Sequence, residues 1–244
     1  MVTPLGYFDL VETFPKPGCV VCNLVLRDVD HFLDLLLYER VNEPDSHRAF
    51  RARRGLCNEH AWQLTRYKGG ALGIAILYNA TLDEVLNIVE QVPVAMPTAP
   101  SGIRRFRNGG ADSAGPALAE RLEPAMPCLA CELRNGSERS YVRVLSEYVD
   151  DTQLQDAYRA SEGLCLPHFR QVLRLVTNPE QLQLFANIQA TIWRKLKADL
   201  NEFIEKNDHR RAHEPMGAEG DSWQRAVRRM AGEKGVFGSD PRSA

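Results

Sequence analysis

Apolar residues recur along this chain with a helical period. His31–Tyr38 (HFLDLLLY) carries a wide apolar face. Ala71–Tyr78 (ALGIAILY) continues into Leu82, Val85, Leu86 and Val89 with helical spacing after Ile74. Leu182, Leu184, Phe185, Ile188, Ile192, Trp193, Leu196, Leu200, Phe203 and Ile204 outline a long amphipathic helix, with Arg194, Lys195, Lys197 and Asp199 on its polar face. Asn178 is placed to cap that helix, with Pro179 at its first position. Ser222–Met230 reads as one short helix with Trp223, Ala226, Val227 and Met230 inward, capped by Asp221 or Ser222. Gly55 and Gly163 each follow a helical segment where a left-handed residue is expected. No stretch alternates convincingly as a strand does. The pattern therefore predicts an all-α protein.

The pattern also repeats. Shifting the chain by 108 positions aligns Glu39 with Glu147, Arg51 with Arg159, Gly55-Leu56-Cys57 with Gly163-Leu164-Cys165, His60 with His168 and Asn79 with Asn187. Such a period is too long for a solenoid repeat and predicts two tandem, internally duplicated helical subdomains. The expected organisation is a first repeat over 1–94, a Pro/Gly/Ser/Arg linker over 95–118, a second repeat over 119–207 and a C-terminal tail over 208–244. Asn79 and Asn187 are expected to be buried packing contacts. Glu39/Glu147 and Arg51/Arg159 are expected to form a structural helix–helix ion pair in each half.

Composition narrows the function mainly by exclusion. The 244 residues include 30 Lys+Arg against 32 Asp+Glu. This near-neutral balance gives no footprint for nucleic acid, and Arg104–Arg107 is a weak one by itself. The run at Ala71–Tyr78 is too short to span a bilayer, and the first residues lack the pattern of a secretory signal, so the expected setting is the cytoplasm with no membrane. No phosphate loop, dinucleotide fingerprint or nucleophile elbow is present.

The six cysteines carry the chemistry. They fall as Cys19-x-x-Cys22, Cys57-x-x-His60, Cys128-x-x-Cys131 and Cys165-x-x-His168, with 34 and 33 residues between each CxxC and the CxxH that follows. A CxxH opening a helix puts both side chains on one face, one turn apart. A CxxC at a turn entering a helix offers two thiolates to one ion. The spacer has room for a helix out and a helix back, so Cys19, Cys22, Cys57 and His60 are expected to meet at one point and Cys128, Cys131, Cys165 and His168 at another. Each would be a Cys3His set suited to tetrahedral Zn2+ with no open position. Two iron–sulfur clusters and a CxxC redox pair are the alternatives. His209, His213 and Glu214 read as an exposed tail in preference to a further site.

The string Cys19-x-x-Cys22, Leu36-Leu37-Tyr38-Glu39-x-Val41-Asn42, Arg53-x-Gly55-Leu56-Cys57-x-x-His60-Ala61-Trp62 and Ala71–Tyr78 resembles a bacterial family, domain of unknown function 6062. So does the tail with His209, Glu214-Pro215 and Gly220-Asp221-Ser222-Trp223. The resemblance implies a bacterial source and no catalytic residues. Two kinds of function remain: a zinc-stabilised helical protein that binds a protein partner, or an iron–sulfur or thiol redox protein.

Overall fold

The structure is a computed structural model that describes residues 5–91, 114–211 and 213–237. The described residues form eleven α-helices and no strand. In order they are α1 (Leu5–Thr13), α2 (Val20–Tyr38), α3 (Pro44–Ala52), α4 (Asn58–Leu64), α5 (Ala71–Glu90), α6 (Ala114–Leu122), α7 (Leu129–Glu147), α8 (Thr152–Ala160), α9 (Leu166–Leu175), α10 (Pro179–Lys206) and α11 (Ser222–Ala231). Each start in α6–α10 follows its counterpart in α1–α5 by 108 or 109 positions.

The compact units do not follow the expected halves. One unit comprises Met1–Asp30 with Leu133–Ala244; the other is His31–Glu132. The division falls inside α2 and inside α7. Arg104–Arg107 and most of the expected linker lie outside the described residues. The end of that linker, 114–118, belongs to α6.

In the first unit, α1, the start of α2, and α7 to α10 enclose one apolar core. Leu10, Phe14, Val21, Val25, Leu145, Leu154, Tyr158 and Phe185 are fully buried in it. Phe14 stacks on Tyr158 at 5.4 Å between ring centroids. Asn178 caps α10 as expected: its side chain accepts from the Glu180 amide at 2.8 Å, and Pro179 sits in the first turn.

Helix α11 turns the other way from the expectation. Trp223, Val227 and Met230 are exposed, and Ser222 and Arg229 are buried. The cause is electrostatic. Arg229 pairs with Glu162, and Arg225 reaches Asp199 at 2.9 Å and Asp221 at 2.7 Å. Arg229 and Arg225 find Glu162 and Asp199 on the packed side, so these two guanidiniums face in, while Arg228 stays exposed beside Glu233.

In the second unit, α5 packs on α3 and α6. Phe50 meets Tyr78 edge-on at 5.1 Å within a core of Leu36, Val41, Phe50 and Leu77. Gly73 lets α5 lie directly on the end of α2: a β-carbon there would stand 2.8 Å from the Leu37 carbonyl oxygen. Asn79 and Asn187 are exposed, not buried. Arg51 approaches Glu84 at 4.0 Å and Arg159 pairs with Asp156 on its own helix at 3.4 Å, so neither takes the expected partner, Glu39 or Glu147.

Candidate metal centres

Each ligand pair is set by a helix start. Cys57 and Cys165 are the N-cap residues of α4 and α9, with extended backbone (ψ 166° and 159°). His60 and His168 then fall one turn along, on the same side as the cysteine. Gly55 and Gly163 precede the caps with φ of +92° and +76°, a conformation that glycine adopts without strain. Cys19 and Cys128 lie just before α2 and α7, and Cys22 and Cys131 one turn inside them.

The grouping differs from the expected one. Cys19 and Cys22 meet Cys165 and His168 in the first unit, and Cys57 and His60 meet Cys128 and Cys131 in the second. Each CxxC is joined by the CxxH of the other sequence half. Helix length is the reason. At ~1.5 Å per residue, α2 carries the chain roughly 28 Å from its CxxC. The CxxC at its start belongs to the first unit, whereas Cys57 and His60, beyond its far end, belong to the second.

Within each group the donor atoms all lie within 4.8 Å of one another. In the first, Cys22 Sγ is 3.8 Å from Cys165 Sγ, and His168 Nδ1 lies 3.4, 3.4 and 3.2 Å from the sulfurs of Cys19, Cys22 and Cys165. In the second, Cys57 Sγ is 3.7 Å from Cys131 Sγ, and His60 Nδ1 lies 3.2, 3.7 and 3.4 Å from Cys57, Cys128 and Cys131. A tetrahedral ion with bonds of about 2.3 Å to sulfur and about 2.0 Å to nitrogen places sulfurs about 3.8 Å apart and sulfur and nitrogen about 3.5 Å apart. The observed edges match both.

The electrostatics ask for a cation. In the second group, hydrogen bonds from Cys131 and Cys57 pull the Cys128 thiol far down. The same contacts, now with a thiolate, push Cys131 far up. Burial pushes His60 down, but hydrogen bonds to Cys128 and Cys57 outweigh it and raise it to about 9. The first group behaves alike. Cys22 is driven up by its contacts with Cys165 and Cys19, and His168 is raised, against the penalty of burial, by the Cys19 thiolate. Three sulfurs this close cannot all ionise beside one imidazolium; a divalent ion in their midst removes the conflict.

The centres differ in surroundings. All four ligands of the first are buried, whereas Cys57, Cys128 and Cys131 of the second are only half-buried. In the first, His168 Nε2 bonds Glu138 Oε1 at 3.0 Å, and Gln171 donates to the same oxygen at 2.8 Å. Such a carboxylate fixes the ring and its tautomer for metal binding at Nδ1. Sequence reasoning missed Glu138, for which no spacing rule gives a cue. It also missed Gln189, buried on α10, which accepts from the Leu164 amide at 2.9 Å and from Tyr158 Oη at 2.5 Å and donates to the Leu164 carbonyl at 3.2 Å. Gln189 thus pins the residue before Cys165. His209 and His213 are exposed and belong to neither group.

A family of unknown function, DUF6062, matches residues 6–236. The chain belongs to this family. Another protein similar to this DUF6062 chain is an uncharacterised 23.9 kDa protein from the xynA 3′ region of Caldicellulosiruptor sp. (strain Rt8B.4). It is 27% identical over 227 residues, covering 91% of this chain and 99% of that one. No solved structure matches the DUF6062 chain.

Proposed function

We propose that this protein is a zinc-stabilised helical scaffold that binds a protein partner, with two structural Zn2+ ions held by the crossed Cys3His sets. The observation that carries the zinc is the donor geometry: Cys22 and Cys165 sulfurs 3.8 Å apart, Cys57 and Cys131 sulfurs 3.7 Å apart, and four protein donors within 4.8 Å of one another in each group. Four donors fill a tetrahedron and leave no position for a substrate or an activated water. An iron–sulfur cluster spreads its ligands over several irons, so donors gathered around one point favour a single ion. Six unbridged thiols suit metal binding in a reducing compartment. The 108–109-residue shift relating α1–α5 to α6–α10 supports an internal duplication whose two copies exchanged ligand pairs. A structural ion contributes folding energy directly, because its site hardly exists in the unfolded chain.

Elemental analysis of anaerobically purified protein tests both the metal and the crossing. Wild type is expected to carry two zinc per chain. Cys22→Ser and Cys165→Ser should each lose one, and so should the double variant, because both residues serve one ion. Cys22→Ser with Cys57→Ser should lose both. Iron with visible absorbance that bleaches in dithionite would replace the structural reading by the redox one. A double Cys22/Cys57 variant that retains one zinc would refute the crossed sets.

A further inference from the structure

Helix α5 has two faces, and its core uses only one. Gly73, Leu77 and Thr81 are buried, and Leu77 belongs to the core of the second unit. On the opposite side Leu72, Ala75, Asn79, Leu82, Leu86 and Val89 are all exposed. The four large apolar residues among them keep between 43% and 72% of their surface in solvent. Their spacing is 3, 4, 3, 4, 3. That is the a/d seam of a heptad repeat, with Leu72, Asn79 and Leu86 at a positions and Ala75, Leu82 and Val89 at d positions.

We propose that this seam is a homodimer interface, in which α5 pairs in parallel with α5 of a second copy of the chain. Three observations choose the occupant. The first is the heptad phase. A membrane span needs an apolar circumference and a helix lying on a lipid surface favours Lys and Arg on its polar face, whereas α5 confines its exposed apolar residues to one stripe and carries only acids, Asp83, Glu84 and Glu90, with no Lys or Arg. By length and composition α5 also passes as a membrane span, so a lipid surface is the competing occupant. The second is Asn79. A single Asn at an a position costs stability but fixes register and strand number, because its amide is satisfied by the same amide across a parallel dimer. In an antiparallel pair Asn79 would face Leu82 instead.

The third is the contrast with α10. The positions 108 residues further on are Glu180, Gln183, Asn187, Ala190, Arg194 and Lys197, five of them exposed and polar or charged. The corresponding face of α10 is thus built for water. The asparagine recurs there without the leucines, so the apolar stripe belongs to α5 and does not follow from the helix pattern common to both. Because α5 is already ordered by packing on α3 and α6, pairing does not have to supply the cost of forming the helix. Six seam positions make a small interface, for which micromolar dissociation is expected.

The test is sedimentation equilibrium of the metal-loaded full chain, from one to a few hundred micromolar. Wild type should shift from monomer to dimer. Leu82→Glu and Leu82→Lys should each stay monomeric, with unchanged helical circular dichroism and metal content, since Leu82 is solvent-exposed. A parallel seam sets residue 82 against residue 82 of the second copy, so mixing the two variants should restore a heterodimer. A wild-type chain that remains monomeric at the highest concentration refutes the proposal. A dimer of wild type that the mixed variants do not restore refutes the parallel pairing. Flotation of monomeric wild type with phosphatidylcholine vesicles, abolished by Leu82→Glu, would hand the seam to a lipid surface.

Discussion

Replacing Gln189 with leucine should be among the most damaging single changes available outside the metal ligands. The side chain is fully buried and satisfies three buried groups: the Leu164 amide, the Leu164 carbonyl and the Tyr158 hydroxyl. Leucine is similar in volume, so packing changes little, but all three groups lose their partner. Each unsatisfied buried group costs about 1–3 kcal/mol. The three share one side chain and can relax together, so the total is nearer about 3–5 kcal/mol than the sum of maxima. That is a large fraction of the ~5–15 kcal/mol that separates folded from unfolded domains. Tyr158→Phe serves as the internal scale: it removes one hydrogen bond and leaves Gln189 with its two backbone contacts, for a cost of about 0.5–1.5 kcal/mol. Because Leu164 precedes Cys165, Gln189→Leu should also loosen the first metal centre and leave the second intact. Urea unfolding of the metal-loaded protein gives the energies, and competition with a chromophoric chelator gives the affinity of each centre. A loss below about 1 kcal/mol, or one no larger than that of Tyr158→Phe, would show that Gln189 does not hold the ligand loop.

Two glycines should respond oppositely to alanine. Gly73→Ala drives a β-carbon to 2.8 Å from a backbone oxygen that cannot turn aside, so overpacking of about 1–3 kcal/mol should outweigh the ~1 kcal/mol of better helix propensity and lower the melting temperature. Gly136, inside α7 with nothing within 4 Å of a built β-carbon, should gain about 0.5–1 kcal/mol and raise it. Glu219 accepts from the Gly217 amide and from Lys206 Nζ, both at 2.7 Å, which lower its pKa from 4.5 to about 2. A depressed carboxyl stabilises the fold above its unfolded pKa and loses that contribution as pH falls from about 4.5 to about 2. The stability gap between wild type and Glu219→Gln, read from urea midpoints, should therefore narrow from pH 5 to pH 2; a constant gap would contradict the assignment.

The helical class and the Cys and His residues that gather into the two groups were legible because they rest on local rules: an apolar period, an Asn-Pro cap at Asn178, a glycine with positive φ before each cysteine N-cap. The face of α11 was not. Trp223, Val227 and Met230 form an apolar stripe, and only the tertiary positions of Glu162 and Asp199 reveal that Arg229 and Arg225 gain more by turning inward. Asn79 and Asn187 failed as packing contacts for a related reason: a polar residue on an apolar helix looks the same whether its face is covered or open.

The crossing of the ligand sets was illegible in principle from spacing. Two CxxC and two CxxH motifs offer the same donors whichever way they are combined, so the local and crossed pairings are identical in motif and donor type. Sequence proximity favours the local one, but the preference is small. Joining Cys22 to Cys165 closes 142 intervening residues, where Cys22 to Cys57 would close 34. Loop-closure entropy grows only logarithmically, as three-halves RT per natural log, so the longer loop costs about 1.3 kcal/mol more. His60 to Cys128 closes 67 residues, where Cys131 to Cys165 would close 33, and adds roughly 0.6 kcal/mol. Against about 2 kcal/mol stands the rigidity of α2 and α7, each 19 residues long. A local site would require bending or unwinding one of them within its length, breaking hydrogen bonds and exposing core residues such as Val29 and Val142, and burial of a single such side chain is worth about 1.5–3 kcal/mol. The long helices therefore decide the pairing, and each Cys3His group joins parts of the chain that the sequence holds far apart.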